Sequence, residues 1–321
     1  MARRFIDQLT DGDNLEDVFL VLDKQLRTNR KGDSFITLEL ADRTGSISAR
    51  LFHAGEPVFR TFEIGDFIHT RGKVQLFQGI LQVVLDGLEK VDPNLVELND
   101  FLPHTRQDVN KLFIRLKEIL RKVSDPFLKS LTECYLIDEE FVRDFCRAPA
   151  GIRVHHAYIG GLLEHTVTML EIAEKTLPFY PELNKDVVLV GIFLHDSGKI
   201  REMSYQRSFA YTDEGQMVGH LVMGIEMLLA KAKEVEKMYG EPVPPELLMQ
   251  VKHLILCHHG EPQNGSPKVP MSPEGILVRA IDMIDSQVAI ALKEIADDKS
   301  QGNWTAFNHA LQRKVYKGKR V

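Results

Sequence analysis

Three cysteines in 321 residues, Cys134, Cys146 and Cys257, are too few and too scattered for a disulfide framework, and none has zinc-knuckle spacing. No apolar run approaches the ~20 residues that a membrane helix needs. Arg3 and Arg4 near the start are followed by no apolar stretch of the signal-peptide kind. There is no excess of positive charge either. Forty Lys and Arg against 46 Asp and Glu leave −6, so no global field draws the chain to polyanions. Contact with a phosphate polymer must come from a local patch or from metal ions. These absences predict a cytoplasmic, soluble protein with no membrane partner. What is there is ordinary for such a protein, 44% hydrophobic and 27% charged, and the length calls for two domains.

Two textures meet near residue 100. Up to about Lys90 the apolar residues repeat every second position, as in Ile36, Leu38, Leu40 and in Ile47, Ala49, Leu51. Asp42-Arg43-Thr44-Gly45 and Gln78-Gly79 supply turn chemistry. Strands are expected at 18–22, 36–40, 47–51, 67–77 and 80–85, with a non-strand piece at 58–62 between the third and fourth. That order fits a small β-barrel of the OB type. A linker is expected over 93–106, where Asp92-Pro93-Asn94 and Leu102-Pro103-His104 interrupt the pattern. Beyond it the period is helical, with helices expected near 109–120, 155–177, 186–197, 218–238, 245–259 and 273–296 and no strand pattern. The fold expected is therefore multidomain: a β-barrel over 1–92, then an all-α domain over 107–321.

Twelve histidines are present, eight of them between residues 155 and 259. In Gly191-Ile192-Phe193-Leu194-His195-Asp196-Ser197-Gly198-Lys199 an apolar helix ends on an imidazole and a carboxylate. Burying that pair costs several kcal/mol unless a partner satisfies it. A divalent cation is one such partner, and a capped helix end with a His–Asp hydrogen bond is another. Lys199 is a point charge suited to a phosphate oxygen. His165, His258, His259 and Asp282 are likewise polar residues in apolar helices without local partners. One shared metal site accounts for them together, where separate burial of each would not. Asp285, one turn past Asp282, is the alternative carboxylate.

The order His165, His195-Asp196, Asp282 resembles the HD phosphohydrolase superfamily, and His220 with His258-His259 resembles its two-metal version. The stretches from His155 to Thr166 and from Tyr211 to His220 further resemble the YhaM family, bacterial 3′–5′ exoribonucleases with an OB domain before an HD domain. The resemblance covers nearly the whole chain. It implies two divalent metal ions, manganese favoured and cobalt, iron(II) or zinc also suited. One would take His165, His195, Asp196 and Asp282, the other His220, His258 and His259 with Asp196 shared. The implied activity is metal-activated hydrolysis of single-stranded RNA, or DNA, from the 3′ end. Asp196 and Lys199 are then the catalytic candidates. Arg153, His155, His156 and Lys199 are candidates for the substrate phosphate, although both histidines could equally be ordinary polar residues at a helix start. Ser197 stands where the family usually has a larger apolar residue, and Cys257 is expected to be an inert buried thiol.

On the expected strand 67–77, Phe67, His69, Arg71, Lys73, Gln75 and Phe77 share one face. Arg71 and Lys73 are the candidates for gripping single-stranded nucleic acid there, although a solvated mixed face reads the same way. The basic run Lys314 to Arg320 is expected to be a plain solvated end. Two other functions stay open: hydrolysis of a mononucleotide or cyclic dinucleotide, and non-catalytic nucleic-acid binding. A homo-oligomer is compatible with all three. Asp196→Ala is expected to abolish turnover while leaving the protein folded.

Overall fold

The computed structural model describes residues 3–29, 32–77, 79–97, 100–152, 156–205, 209–298, 300 and 302–318. It forms two compact units, which part between His104 and Thr105. In the first, five strands, β1 (Asn14–Thr28), β2 (Ser34–Asp42), β3 (Gly45–Phe52), β4 (Phe67–Phe77) and β5 (Ile80–Val91), close into a barrel of order β1-β2-β3-β5-β4. The β3–β5 pairing is parallel and the others are antiparallel. The alternation read from the sequence becomes its interior, with Ile36, Leu38, Leu40, Ile47, Ala49 and Leu51 buried together with Phe19, Ile68, Val74 and Val83. Asp42 turns the β2–β3 hairpin, its carboxylate accepting from the Thr44 backbone N–H and hydroxyl at 2.7 and 2.6 Å. A one-turn helix, α1 (Glu56–Phe59), occupies the non-strand piece between β3 and β4. Gln78 of the second expected turn lies outside the described residues.

The second unit is helical. After α2 (Val109–Leu120) come α3 (Pro126–Leu136) and α4 (Glu139–Arg147), two helices that the periodicity reading passes over. Their signals are local. Asp125 caps Leu128 N–H before Pro126, and Asp138 caps Glu140 and Phe141. Next are α5 (Gly161–Thr176), α6 (Lys185–Leu194) and the short α7 (Lys199–Glu202). Helix α5 does not begin near 155 as expected; His156 has a φ of +46°, which no helix accommodates. A two-stranded hairpin follows, β6 (Met203–Ser204) with β7 (Ala210–Tyr211), then α8 (Asp213–Val218) and α9 (His220–Tyr239). The expected single helix over 218–238 is thus broken at Gly219, with φ +78°. Helices α10 (Pro245–Cys257) and α11 (Pro273–Asp297) precede a terminal hairpin, β8 (Trp304–Asn308) with β9 (Arg313–Tyr316). These two hairpins correct the expectation of no strand in this half; pairs this short leave too few residues for a period to register.

Helix α6 is the axis of the helical core. Every residue from Asp186 to Leu194 is buried. Its one carboxylate, on Asp186, accepts from Ser124 N–H, Ser124 hydroxyl and Asp125 N–H at 2.7–2.8 Å. An apolar helix with no solvent face can end on His195 and Asp196 only if both are inside the protein, and they are.

Candidate metal centre

Seven side chains from five places in the helical unit converge: His165 on α5, His195 and Asp196 at the end of α6, His220 at the start of α9, His258 and His259 after α10, and Asp282 on α11. Asp196 is 3% exposed and stands in the middle. Its Oδ2 lies 3.3 Å from His195 Nε2 and 3.9 Å from His165 Nε2. Its Oδ1 lies 3.4 Å from His258 Nε2 and 3.5 Å from His220 Nε2. Asp282 Oδ1 is 3.4 Å from His165 Nε2. Two imidazole pairs, His165–His195 and His220–His259, face each other Nε2 to Nε2 at 3.3 Å.

The outer nitrogens say which way the protons point. Nδ1 of His195 donates to Ile192 carbonyl at 2.7 Å and Nδ1 of His258 to Ile255 carbonyl at 2.9 Å. His165 Nδ1 donates to Asp285 Oδ2 at 2.7 Å, and His220 Nδ1 to Glu202 Oε1 at 2.8 Å. A neutral imidazole with its proton on Nδ1 presents a lone pair on Nε2. In that form, which a metal ligand requires, four Nε2 lone pairs and two carboxylates point inward, where lone pairs repel one another. Asp196 Oδ1 and His258 Nε2, 3.4 Å apart, are buried with no hydrogen-bond partner among the described residues. Orphans of this kind are costly unless something positive lies between them. The donor set fits a divalent cation. Separations of 3.3–3.5 Å match donors that each stand ~2.1 Å from a common centre. They fall into two groups, His165, His195 and Asp282 on one side and Asp196, His220, His258 and His259 on the other.

Charge follows the same division. Burial alone would push Asp196 up, but Lys199, His195 and His258 around it hold its carboxyl well below the usual range. Burial likewise opposes a charge on His165, yet Asp282 and Asp285 raise that imidazole to about 9. Burial and the neighbouring His258 and His220 push His259 down to about 3. Cys257 beside the pair is a buried thiol that desolvation raises to about 11, and it belongs to neither donor group.

Two expected substrate contacts are placed elsewhere. Lys199 is buried and spends its ammonium on Asp196 Oδ2 at 2.7 Å and Ala150 carbonyl at 2.6 Å, so it faces the carboxylate rather than a phosphate. His156 stands behind the centre, its Nε2 on Asp285 at 2.8 Å and its Nδ1 on Tyr158 hydroxyl at 2.6 Å. Asp285 accepts from both His156 and His165 and forms with them a third donor group, separate from the one that contains Asp282. Arg153 and His155 lie outside the described residues. Glu202 escapes sequence reasoning, because a glutamate at the end of a four-residue helix carries no pattern. The small Ser197 also has its reason. Its hydroxyl donates to Leu194 carbonyl at 2.8 Å, where α9 passes close at Gly224.

On the barrel, Arg71, Lys73, Gln75 and Phe77 are exposed as expected, but Phe67 is not. It is buried against Phe101, ring centroids 4.7 Å apart, because the segment after β5 returns over it. Alternation within a strand cannot show that. The face also holds residues that the strand-by-strand reading passed over. Phe35 and Phe52 pair across β2 and β3 with centroids 5.9 Å apart, and Arg50 lies 5.4 Å from the centre of the Phe77 ring.

An OB barrel followed by an HD-type helical domain with a buried His–Asp centre is the class that fold and site define. Residues 162–287 match the family model of the HD domain, and 20–91 that of the OB-fold nucleic acid binding domain. A protein of Oceanobacillus iheyensis named 3'-5' exoribonuclease YhaM is 31% identical over 280 residues, 87% of this chain and 86% of that one. Relatives of the same name from Shouchella clausii, 32% identical over 83% of this chain and 80% of theirs, and from Bacillus subtilis, 29% over 95% of each, agree. The chain belongs to the YhaM family and is an enzyme of the hydrolase class.

Proposed function

We propose that this chain is a metal-dependent 3′–5′ exoribonuclease that shortens single-stranded RNA. The observation that carries the reading is the inward set of imidazole Nε2 atoms and carboxylate oxygens around Asp196, whose Oδ1 is a buried oxygen without a hydrogen-bond partner among the described residues. His165, His195, Asp282 and Asp196 Oδ2 would hold one divalent cation, manganese favoured. Asp196 Oδ1, His220, His258 and His259 would hold a second. Bound cations of this kind make a nucleophile of water near neutral pH and neutralise charge on a phosphodiester.

The chain's own residues prepare that chemistry. Asp285, Glu202 and the carbonyls of Ile192 and Ile255 keep four protons on Nδ1, which fixes Nε2 as the donor atom. Lys199 and Ala150 carbonyl fix the rotation of Asp196, so that its two oxygens serve different histidine groups. On the barrel, Arg50 and Lys73 with Phe35, Phe52 and Phe77 would hold a single strand by charge and stacking, which is tolerant of sequence. Purified protein with Mn²⁺ and 5′-labelled single-stranded RNA should yield a ladder that shortens from the 3′ end. Turnover of mononucleotides or cyclic dinucleotides without a ladder would replace this reading by the small-nucleotide one.

A further inference from the structure

With Lys199 turned to Asp196, the expected cation for the substrate must be sought elsewhere among the described residues. A pocket of about 300 Å³ opens directly beside the metal centre and is lined by His258, His259 and Asp282 of that centre. The rest of its lining is Arg279, Met283, Ser286 and Gln287 from α11, together with Asn264. The spacing 279, 283, 286, 287 puts these side chains on one helical face, the face that also carries Asp282. The volume lies at the low end for small-molecule sites.

Arg279 is held in place by an absence of atoms. Gly260 follows the His258-His259 pair with φ +85°, and a Cβ there would fall 1.6 Å from Arg279 Nε and 2.4 Å from its Cζ. The guanidinium end of Arg279 therefore packs against the Gly260 backbone, next to His258 and His259. No carboxylate among the described residues forms an ion pair with it, although Asp282 sits one turn on along the same helix. A planar fork of donors at that place suits the oxygens of a phosphate. Asn264, Ser286 and Gln287 add neutral donors and acceptors suited to sugar hydroxyls and base edges.

We propose that this pocket receives the 3′-terminal nucleotide of the substrate and that Arg279 grips a phosphate of it. The inference rests on the exonuclease reading above, and the experiment separates the two. In R279Q the KM for single-stranded RNA should rise about tenfold or more, with a smaller change in kcat and with wild-type Tm and metal content. Calorimetry should show that the wild-type protein prefers 5′-AMP to adenosine and that R279Q loses most of that preference. Unchanged KM and unchanged preference would overturn the proposal. A wild-type protein that shortens no RNA would instead remove the exonuclease reading, while the AMP–adenosine comparison still decides the role of Arg279. Should R279Q not fold, M283W, at a residue 40% exposed, carries the test by filling the pocket. It should raise KM by a similar factor without altering metal binding, and a wild-type KM in M283W would refute the pocket's role.

Discussion

Asp196 is engaged on every side: Oδ2 toward His195 and Lys199, Oδ1 toward His258 and His220. That changes what its removal does. From sequence, Asp196→Ala is expected to leave a folded protein. The structure puts the buried ammonium of Lys199 against this carboxylate, and stranding one member of a buried pair costs about 3–5 kcal/mol. Asp196→Ala should therefore unfold at markedly lower denaturant than Asp196→Asn, which keeps the shape and an acceptor oxygen. Both should lose RNA shortening, and an active Asp196→Asn would remove the metal-centred mechanism. Asp285 works one layer out. Asp285→Asn should weaken Mn²⁺ binding by roughly 10–100-fold, read by titration calorimetry, with the fold intact. Affinity equal to wild type would mean that His165 needs no such support.

Between elements, backbone meets backbone where the turn from α6 into α7 packs against α9. A Cβ on Gly198 would stand 2.0 Å from His220 carbonyl and 2.7 Å from Gly224 N. This contact between backbones is what sets the start of α9, and so His220, beside the His195-Asp196 end of α6. Gly198→Ala should cost about 1–3 kcal/mol or more, measured by denaturant unfolding, and should weaken the His220 side of the centre first. Wild-type stability in that variant would show that the two helices can part freely. Most of these elements were legible beforehand. Five barrel strands and helices α2, α10 and α11 follow from periodicity, because one face of each is apolar, and α6 from its unbroken apolar run. Helices α3 and α4 show in the sequence only through their Asp caps, and the start of α5 is misplaced because the turn around His156 answers to Asp285, 129 residues away.

For the molecule as a whole, the centre ties stability to pH through metal and protons. His165, raised to about 9, lends the metal-free protein stability that is full below about pH 6.5 and is lost as pH rises through about 9. Asp196 and Asp282 are lowered, so their contribution holds above the ordinary carboxylate range and is lost on acidification. A cation must displace the His165 proton, so below about pH 9 each unit of acidity costs up to tenfold in affinity from this group. The rise in Tm produced by a fixed, subsaturating Mn²⁺ concentration should therefore grow from pH 6 to pH 8.5, as differential scanning fluorimetry would show. A rise independent of pH would mean that no proton is released.

The chemistry of this protein was written in residue types and spacing. His165, His195-Asp196, His258-His259 and Asp282 stand out because each lies in or closes an apolar helix, which makes burial and unmet polarity visible in one dimension; His220 is reached only through the family resemblance. What the spacing could not say is where the remaining valences go. Tertiary packing turned Lys199 from a phosphate to Asp196, put His156 and Asp285 behind His165, and laid Arg279 on Gly260 at the mouth of the centre. Those choices depend on distances between helices far apart in the chain, and a period along one helix carries no information about its neighbours.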